Sequence, residues 1–302
     1  MKKDARDFIG YGRESFDPKW PKKSRLAINF IINVEEGSEY SPLMGDPKSE
    51  SGLSEVPGGR HKINQRDLAI ESIYEYGSRV GFWRLTTLLE KYKMPHTFFV
   101  CALTLLQNKE ISSFIKKSTN DICCHGYRWE EHYRMNKNKE RAQIKKAYDL
   151  ILKLTNKQSK GWYCRYAPSD NTRNLLIENG NFLYDSDSYN DDLPYWITKG
   201  KKKQLIIPYT LDNNDMRFAT NQGFNSGDQF FTYLKDSFDA LYEEGNTNPK
   251  MMSVGLHCRL IGRPGRIQAL KKFLDYVLKH DDVWLCKRID IAKHWIKNYS
   301  NI

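Results

Sequence analysis

An apolar run, LAINFIINV (Leu26 to Val34), is the feature that most restricts how this chain can fold. The run is nearly continuous and rich in β-branched residues, a pattern typical of a strand buried on both faces in a parallel sheet. It ends abruptly at two adjacent carboxylates, Glu35 and Glu36, and a glycine. Because ligands of parallel α/β folds gather at the carboxyl ends of the strands, this pair is the first functional candidate. The alternative is an exposed turn without chemistry.

Strand-like and helix-like segments alternate along the rest of the chain. Further strand-like segments are HTFFVCAL, DICCHG, GWYCRY, FLYDSDSY, QLIIPYT and MMSVGLHC. About seven strands alternating with helices, with no linker between halves, predict one βα-repeating domain of the α/β class over residues 1–302. The chemically distinctive residues fall at strand ends, which a barrel brings onto one rim. We therefore predict a distorted or incomplete (β/α) barrel rather than a doubly wound sheet.

A long polar stretch, Ser38 to Gln65, directly follows the carboxylate pair and contains Gly, Pro and Ser throughout. A loop of such length is usually functional or disordered. Its position after the first strand predicts that the loop at residues 38–65 covers a substrate.

Composition excludes several classes of protein. The formal net charge of +11 invites a nucleic-acid hypothesis, but the Lys and Arg residues are scattered and no nucleic-acid-binding module accompanies them. We expect no nucleic-acid and no membrane partner. The N-terminus has no apolar segment of the kind a secretory signal needs, which favours the cytoplasm. The six cysteines show no C-x-x-C spacing and are expected to be free buried thiols in a reducing compartment.

Two histidines, His125 and His257, end apolar strand-like segments. Either one alone could be a satisfied structural residue. Together, opposite Glu35 and Glu36, they favour a catalytic site, because carboxylate and imidazole can supply the base and the acid that amide hydrolysis needs. Cys124 is expected to pack in the core, since neighbours on a strand point to opposite faces. The sequence contains no Gly-rich phosphate loop and no G-x-S-x-G elbow.

A zinc site would need three protein ligands and an open position, commonly with two histidines one helical turn apart. The residue four positions after His125 is Trp129, and an indole cannot coordinate zinc. His132 lies in the polar run WEEHYR and is expected at the surface. We therefore predict no metal and no other cofactor. If a metal is bound, its ligands are Glu36 and His125, with one ligand missing.

The order of these motifs resembles the polysaccharide deacetylase superfamily across nearly the whole chain. More narrowly, the sequence resembles the allantoinase branch through long strings that include RDFIGYGR, HGYRW, YDSDSYNDDLPYW, PYTLDNNDMRFAT and PKMMSVGLHCRLIGRPGR. In typical deacetylases of this superfamily an Asp-Asp pair supplies the base and a metal ligand, and two histidines complete the site. Here Glu35 and Glu36 match the pair and Trp129 matches the second histidine. The resemblance implies metal-independent chemistry and a homotetramer, as described for the allantoinase branch.

The resemblance implies hydrolysis of a C–N amide bond of a small molecule, with ring opening of allantoin as the leading hypothesis. Glu36 or Glu35 is then the general base, His257 the general acid, and His125 an orienting or polarising group. Arg165 is expected to stabilise the oxyanion or a ureido oxygen, and Asp187 to orient a catalytic histidine.

Four residues are predicted to bind the substrate: Trp129, Arg165, Asp187 and Trp196.

Two alternatives remain open at this point. The first is a zinc-dependent N-deacetylase of amino-sugar polymers, either chitin or peptidoglycan. The second is a non-catalytic binding protein that has lost the metal site. The segment CRYAPSD (Cys164 to Asp170) departs from the glycine-containing turn expected of the allantoinase branch. Because this strand-end loop is expected to touch substrate, the departure bears on which amide is cleaved.

Overall fold

The structure is a computed structural model that describes residues 6–13 and 15–300. Residues 1–5, part of the N-terminal segment for which no secretory signal is predicted, lie outside the described residues. The strands are β1 (Leu26–Val34), β2 (His96–Val100), β3 (Asp121–Cys124), β4 (Gly161–Trp162), β5 (Tyr184–Asp185), β6 (Tyr195–Lys199), β7 (Lys202–Ile206), β8 (Lys250–His257) and β9 (Val283–Leu285). The α-helices are α1 (Leu68–Tyr76), α2 (Phe82–Lys91), α3 (Ala102–Gln107), α4 (Lys109–Lys117), α5 (Lys137–Thr155), α6 (Thr172–Asn179), α7 (Gly227–Glu244), α8 (Pro264–Val277) and α9 (Arg288–Tyr299).

The strands form one sheet in the order β6-β7-β5-β4-β3-β2-β1-β8, with β9 beside the first half of β1. All pairings are parallel except the antiparallel β6–β7 hairpin. The sheet curls into a half-barrel with helices outside, which confirms the predicted incomplete (β/α) barrel. The described residues contain nine strands where about seven were expected. The two additional strands are β6, which lacks the apolar alternation that marks a strand, and the three-residue β9.

The alternation of side chains along β1 decides what faces the inside of the half-barrel. Ile28, Phe30 and Ile32 belong to the outer core that packs against the helices. Asn29 and Asn33 point the other way, where they bond to groups inside the half-barrel. Because successive side chains of a strand alternate between faces, Glu35 continues the inner row and Glu36 the outer one.

A buried arginine fills the inside of the half-barrel below the catalytic rim. The guanidinium of Arg288 donates to Asn29 Oδ1 and to the hydroxyls of Ser253 and Ser186, each at 2.9 Å. It also donates to the carbonyls of Ile207 and Pro208. A buried charge must be compensated by hydrogen bonds or by a counter-ion, and this one uses dipoles from four parts of the chain. The network joins β1, β5, β7 and β8 beneath the site.

All six cysteines are free and buried, as predicted. Within residues 6–13 and 15–300, none of the helices combines the length and the apolar character that crossing a membrane requires.

Candidate active site

Three of the four predicted catalytic side chains meet inside the rim of the half-barrel. Glu35 follows β1, His125 follows β3, and His257 ends β8. His125 Nε2 lies 3.0 Å from Glu35 Oε1, and His257 Nε2 lies 3.6 Å from the same oxygen. All three side chains are buried. The parallel sheet therefore places two imidazoles beside one carboxylate oxygen, Oε1 of Glu35.

Asp215 orients His257, a role that sequence reasoning gave to Asp187. Asp215 Oδ1 lies 2.6 Å from His257 Nδ1, and Asp215 Oδ2 accepts from the backbone N–H groups of His257 and Ile261 at 2.7 and 3.0 Å. The carboxylate is fully buried. These bonds direct Nε2 of His257 toward Glu35. Asp215 begins a 3-10 turn (Asp215–Ala219) after a loop, so no strand pattern in the sequence marks it.

The prediction that Asp187 orients a catalytic histidine is wrong. Its carboxylate accepts from Trp162 Nε1 at 3.1 Å and from the backbone N–H of Cys164 at 2.9 Å. The chain curls after β5, because the Asp187 N–H donates to the carboxylate of Asp185. This curl turns Asp187 toward the outer core that contains Trp162 and Cys164. Burial, reinforced by Asp185, raises the pKa of Asp187 well above the ordinary value.

Arg259, two residues beyond His257, supplies a positive charge to both glutamates. Its Nη1 lies 2.9 Å from Glu35 Oε2 and 3.5 Å from Glu36 Oε1. Arg259 is fully buried. Sequence reasoning missed this residue, although the string LHCR places an arginine beside the strand-end histidine. The fourth predicted catalytic residue, Glu36, contacts Arg259 but does not line the pocket.

The three ionisable groups respond differently to burial. Burial alone would raise the pKa of Glu35, but the positive charge of Arg259 and the histidines hold it well below its ordinary value. Burial raises the pKa of Glu36, against a smaller opposing effect of Arg259. Burial alone would lower the pKa of His257, but Asp215 and Glu35 raise it above 6.5. The site thus favours an ionised Glu35 beside a protonated His257.

A glycine-containing π turn, Gly77–Gly81, lets the α1–α2 unit approach the strand ends closely. A Cβ on Gly77 would lie 2.3 Å from Glu36 Oε1, and one on Gly81 would lie 1.9 Å from the carbonyl oxygen of Cys258. Neither position has room for a side chain. The close approach buries Glu36 on the outer side of β1, which separates it from the pocket.

The polar loop at residues 38–65 reaches the site through Glu50 and Leu53. Glu50 makes a bidentate ion pair with Arg165, at 2.7 and 3.0 Å, and the Leu53 carbonyl accepts from Arg259 Nε at 3.3 Å. Arg165 lies 3.5 Å above the ring of Trp129. The loop is therefore held to two arginines at strand ends, and coverage of a substrate stays a prediction.

We expect Glu50→Ala to lower the free energy of unfolding by about 3–5 kcal/mol, because it leaves the buried guanidinium of Arg165 without its counter-ion. Denaturant unfolding measures the change. The double variant Glu50→Leu/Arg165→Met removes both charges and should recover part of the loss. A single variant as stable as the wild type would contradict the role of this ion pair in holding the loop.

The side chains of the site surround a narrow pocket, and its free space together with the open solvent at its mouth is about 240 Å³. It is lined by Asn33, Glu35, Leu53, His125, Trp129, Tyr163, Arg165, Tyr166, Tyr209, Leu211, Asn214, Met216 and His257. Two of the four predicted substrate-binding residues, Trp129 and Arg165, are therefore in place.

The structure does not bring Trp196 or Asp187 to this pocket. Trp196 lies on the edge strand β6, and its indole N–H donates to the Tyr299 carbonyl at 2.7 Å. The antiparallel hairpin turns this side chain toward the end of α9.

Likewise, His132 is buried rather than at the surface, since its Nδ1 lies 3.2 Å from the buried Glu140.

Comparisons with known proteins agree with this geometry. The profile of the polysaccharide deacetylase family matches residues 62–181. A putative polysaccharide deacetylase of Schizosaccharomyces pombe is 37% identical over 97% of each chain. The chain belongs to the polysaccharide deacetylase family.

Two crystal structures resemble this family member over nearly its full length. A probable polysaccharide deacetylase from Pseudomonas aeruginosa PAO1 has a TM-score of 0.94 and 48% identity, covering 97% of this chain and 98% of that one. PuuE allantoinase has a TM-score of 0.95 and 46% identity, covering 98% of this chain and 99% of that one. Both similarities extend over the whole half-barrel. They support C–N hydrolase activity for this polysaccharide deacetylase family member.

The residues in place do not fit the metal site that the family implies. Trp129, which the resemblance matches to the second histidine, has an indole that cannot coordinate a metal, and the carboxylate of Glu36 contacts Arg259 and the Glu35 N–H. Within the described ranges, no group of three or more His, Cys, Asp or Glu side chains has an arrangement that could hold a metal ion. The guanidinium of Arg259 sits between the two glutamates, where it offsets the charge that a cation would offset.

Proposed function

We propose that this family member opens the hydantoin ring of allantoin to give allantoate. The observation that carries the proposal is the pair Glu35 and His257 in a small covered pocket, with Asp215 bonded to the far side of His257. The similarity to PuuE allantoinase supports the choice of substrate.

The shape of the pocket favours a small molecule over a polymer. Leu53 of the covering loop lines the pocket, together with Trp129 and Arg165. A free space of about 240 Å³ that includes the open mouth leaves no room for a chain of sugars. A polymer would need an open groove, and here the Glu50–Arg165 ion pair holds the loop against the pocket wall.

Glu35 is the general base in this proposal, since it lines the pocket and Glu36 does not. It accepts a proton from the attacking water while His257 gives its proton to the ring nitrogen that leaves. The C–O bond forms at the ring carbonyl, the C–N bond breaks, and the carboxylic acid formed loses its proton. Because the two proton transfers are coupled, the total charge of the buried site stays constant.

Arg259 and Asp215 hold the starting protonation states. Arg259 keeps Glu35 ionised, and Asp215 keeps His257 protonated and aimed at the pocket. His125 contacts Glu35 and fixes the direction of its carboxylate. Arg165 is held by Glu50 and Trp129 at the pocket wall, where it is available to a ureido oxygen.

A second candidate is an N-deacetylase of amino-sugar polymers, which the names of the S. pombe and P. aeruginosa relatives favour. That chemistry would use a zinc ion as a Lewis acid. The ligand set and the covered pocket both count against it here.

One assay separates the candidates: allantoin and an N-acetylglucosamine oligomer are each incubated with the purified protein, with and without a chelator. We expect allantoin to be consumed at a rate that the chelator leaves unchanged. Turnover of the oligomer alone, lost on chelation, would support the deacetylase. A folded protein that is inactive on both would support the non-catalytic alternative.

The proposal extends to a cytoplasmic homotetramer that works in purine catabolism, on the strength of the resemblance to the allantoinase branch. Size measurement of the purified protein tests the oligomeric part.

A further inference from the structure

Tyr209 is a pocket residue that no step above uses. It follows β7, and its side chain is buried, with its ring centroid 4.9 Å from that of Tyr163 and 5.1 Å from that of Phe99. It lines the same pocket as Glu35 and His257. The aromatic neighbours fix the ring, so the position of the hydroxyl is set before a substrate arrives.

Two amide groups donate to the hydroxyl oxygen of Tyr209. Asn33 Nδ2 lies 2.9 Å away and Asn214 Nδ2 lies 3.4 Å away. Each amide has a further partner that fixes which end is nitrogen. Asn33 Nδ2 also donates to the Leu256 carbonyl, and Asn214 Nδ2 donates to the Thr210 carbonyl. If oxygen and nitrogen were exchanged in either amide, the amide oxygen would face a backbone carbonyl oxygen, and two acceptors would meet with no hydrogen between them.

A glycine on β8 makes room for this arrangement. A Cβ on Gly255 would lie 2.3 Å from Asn214 Nδ2 and 2.6 Å from the Tyr209 hydroxyl. The strand therefore leaves space for the two groups to meet.

The directions of these bonds determine where the phenolic hydrogen points. A phenol oxygen accepts at its lone pairs and donates one hydrogen. With both amides occupying the accepting side, the hydrogen must turn away from them. Within residues 6–13 and 15–300, no hydrogen bond has the Tyr209 hydroxyl as its donor. Since Tyr209 lines the pocket, the open donor is available to a bound substrate.

We infer that the Tyr209 hydroxyl is the catalytic donor that stabilises the oxyanion during amide hydrolysis. When water adds to the substrate carbonyl, the C–O bond forms and the carbonyl π electrons move to oxygen. The phenolic hydrogen bonds to this oxygen and stays on Tyr209. When the C–N bond breaks, with the proton of His257 going to nitrogen, the electrons return and the carbonyl re-forms. The inference rests on the proposed acyl hydrolysis, but not on the identity of the amide.

Burial also keeps this donor protonated. It raises the pKa of Tyr209 above the ordinary value of 10, and the nearby carboxylates of Asp215 and Glu35 act in the same direction. The hydroxyl therefore retains its hydrogen throughout the pH range in which Glu35 and His257 work.

The test compares Tyr209→Phe with Tyr184→Phe. Tyr184 is a buried tyrosine of the same inner core that does not line the pocket. We expect Tyr209→Phe to lower kcat for allantoin by about 10²–10³-fold, as loss of one oxyanion donor does in other hydrolases. KM should change by less than about threefold, because the bond strengthens only in the transition state. Tyr184→Phe should retain the kcat of the wild type. A kcat of Tyr209→Phe within about threefold of the wild type would overturn the inference.

Binding of acetate provides a second measurement that is independent of allantoin. Acyl hydrolysis ends with a carboxylate in the pocket, so acetate probes the same donor. Calorimetry should show about tenfold weaker binding to Tyr209→Phe than to the wild type and to Tyr184→Phe. Equal acetate binding in wild type and Tyr209→Phe, including none in either, would overturn the inference. A wild type that binds acetate but does not consume allantoin would defeat the proposed function alone.

If Tyr209→Phe does not fold, the donor can still be tested in the wild type by NMR, with the tyrosine Cζ atoms labelled with ¹³C. One buried tyrosine resonance should shift on addition of acetate. No shift in any tyrosine resonance would overturn the inference.

Discussion

Glu35→Gln is expected to lower kcat for ring opening by about 10²–10⁴-fold with little change in KM. The amide keeps the shape of the carboxylate and can still bond to His125 and Arg259, but it cannot accept a proton from water. Arg259, His257 and His125 together outweigh burial and hold the pKa of Glu35 well below the ordinary value. Glu35 therefore enters each turnover ionised. Steady-state kinetics with allantoin measure the loss.

Glu36→Gln is the matched control, because it makes the same chemical change one residue along the chain. Glu36 lies on the outer side of β1, against Gly77, and does not line the pocket. We expect its kcat to fall by less than about tenfold, since it would lose only a weak contact with Arg259. Equal losses in the two variants, or a larger loss in Glu36→Gln, would show that the base is wrongly assigned.

The distinction between these two glutamates shows what the sequence could and could not predict. The apolar run before them predicts a buried strand, and the period of a strand requires neighbours to face opposite sides. It does not decide which one faces inward. That choice depends on where the helices pack. The structure places Phe30 and Ile32 in one core with side chains of α2 and α8, which leaves Asn33 and Glu35 inside.

Side chains at the carboxyl ends of buried apolar strands were the ones that sequence reasoning located correctly. Glu35, His125 and His257 end or directly follow such segments, and parallel strands bring their carboxyl ends together. Asp187 follows a two-residue strand, and Trp196 lies within the antiparallel edge hairpin. Neither element fixes the direction of a side chain relative to the parallel strand ends, and both residues point away from the pocket.

Three residues of the site were missed for a related reason: Tyr209, Asp215 and Arg259. Asp215 and Tyr209 lie on the loop that follows β7, where the chain crosses toward β8 and forms a bridge between Asn214 and Gly255. No periodic pattern describes such a loop. The buried position of Arg259 depends on partners from the loop at residues 38–65 and from α1, which are remote in sequence.

Asp215→Asn is expected to lower kcat by about 10²–10⁴-fold and to move the alkaline limb of the pH profile to lower pH. In the wild type burial alone would lower the pKa of His257, but Asp215 and Glu35 raise it above its ordinary value, so the general acid stays protonated to higher pH than a free imidazole. Without the charge of Asp215, burial dominates and lowers that pKa. The amide can also present its N–H group to Nδ1, which would favour the wrong tautomer of the imidazole.

The direction in which stability changes with pH follows from the difference between the pKa of His257 in the folded protein and its pKa in the unfolded chain. Because its folded pKa is raised, its pairing with Asp215 stabilises the fold fully below pH 6.5, and this contribution is lost as pH rises through the folded pKa. Stability and kcat of the wild type should therefore both decline on the alkaline side. In Asp215→Asn the decline in kcat should come at lower pH, and the alkaline decline in stability should be absent. Profiles of kcat and of the unfolding midpoint from pH 5 to pH 10 measure both, with Asp187→Asn as the control, since Asp187 has no contact with His257. An alkaline limb of Asp215→Asn that coincides with that of the wild type would mean that another group is the general acid.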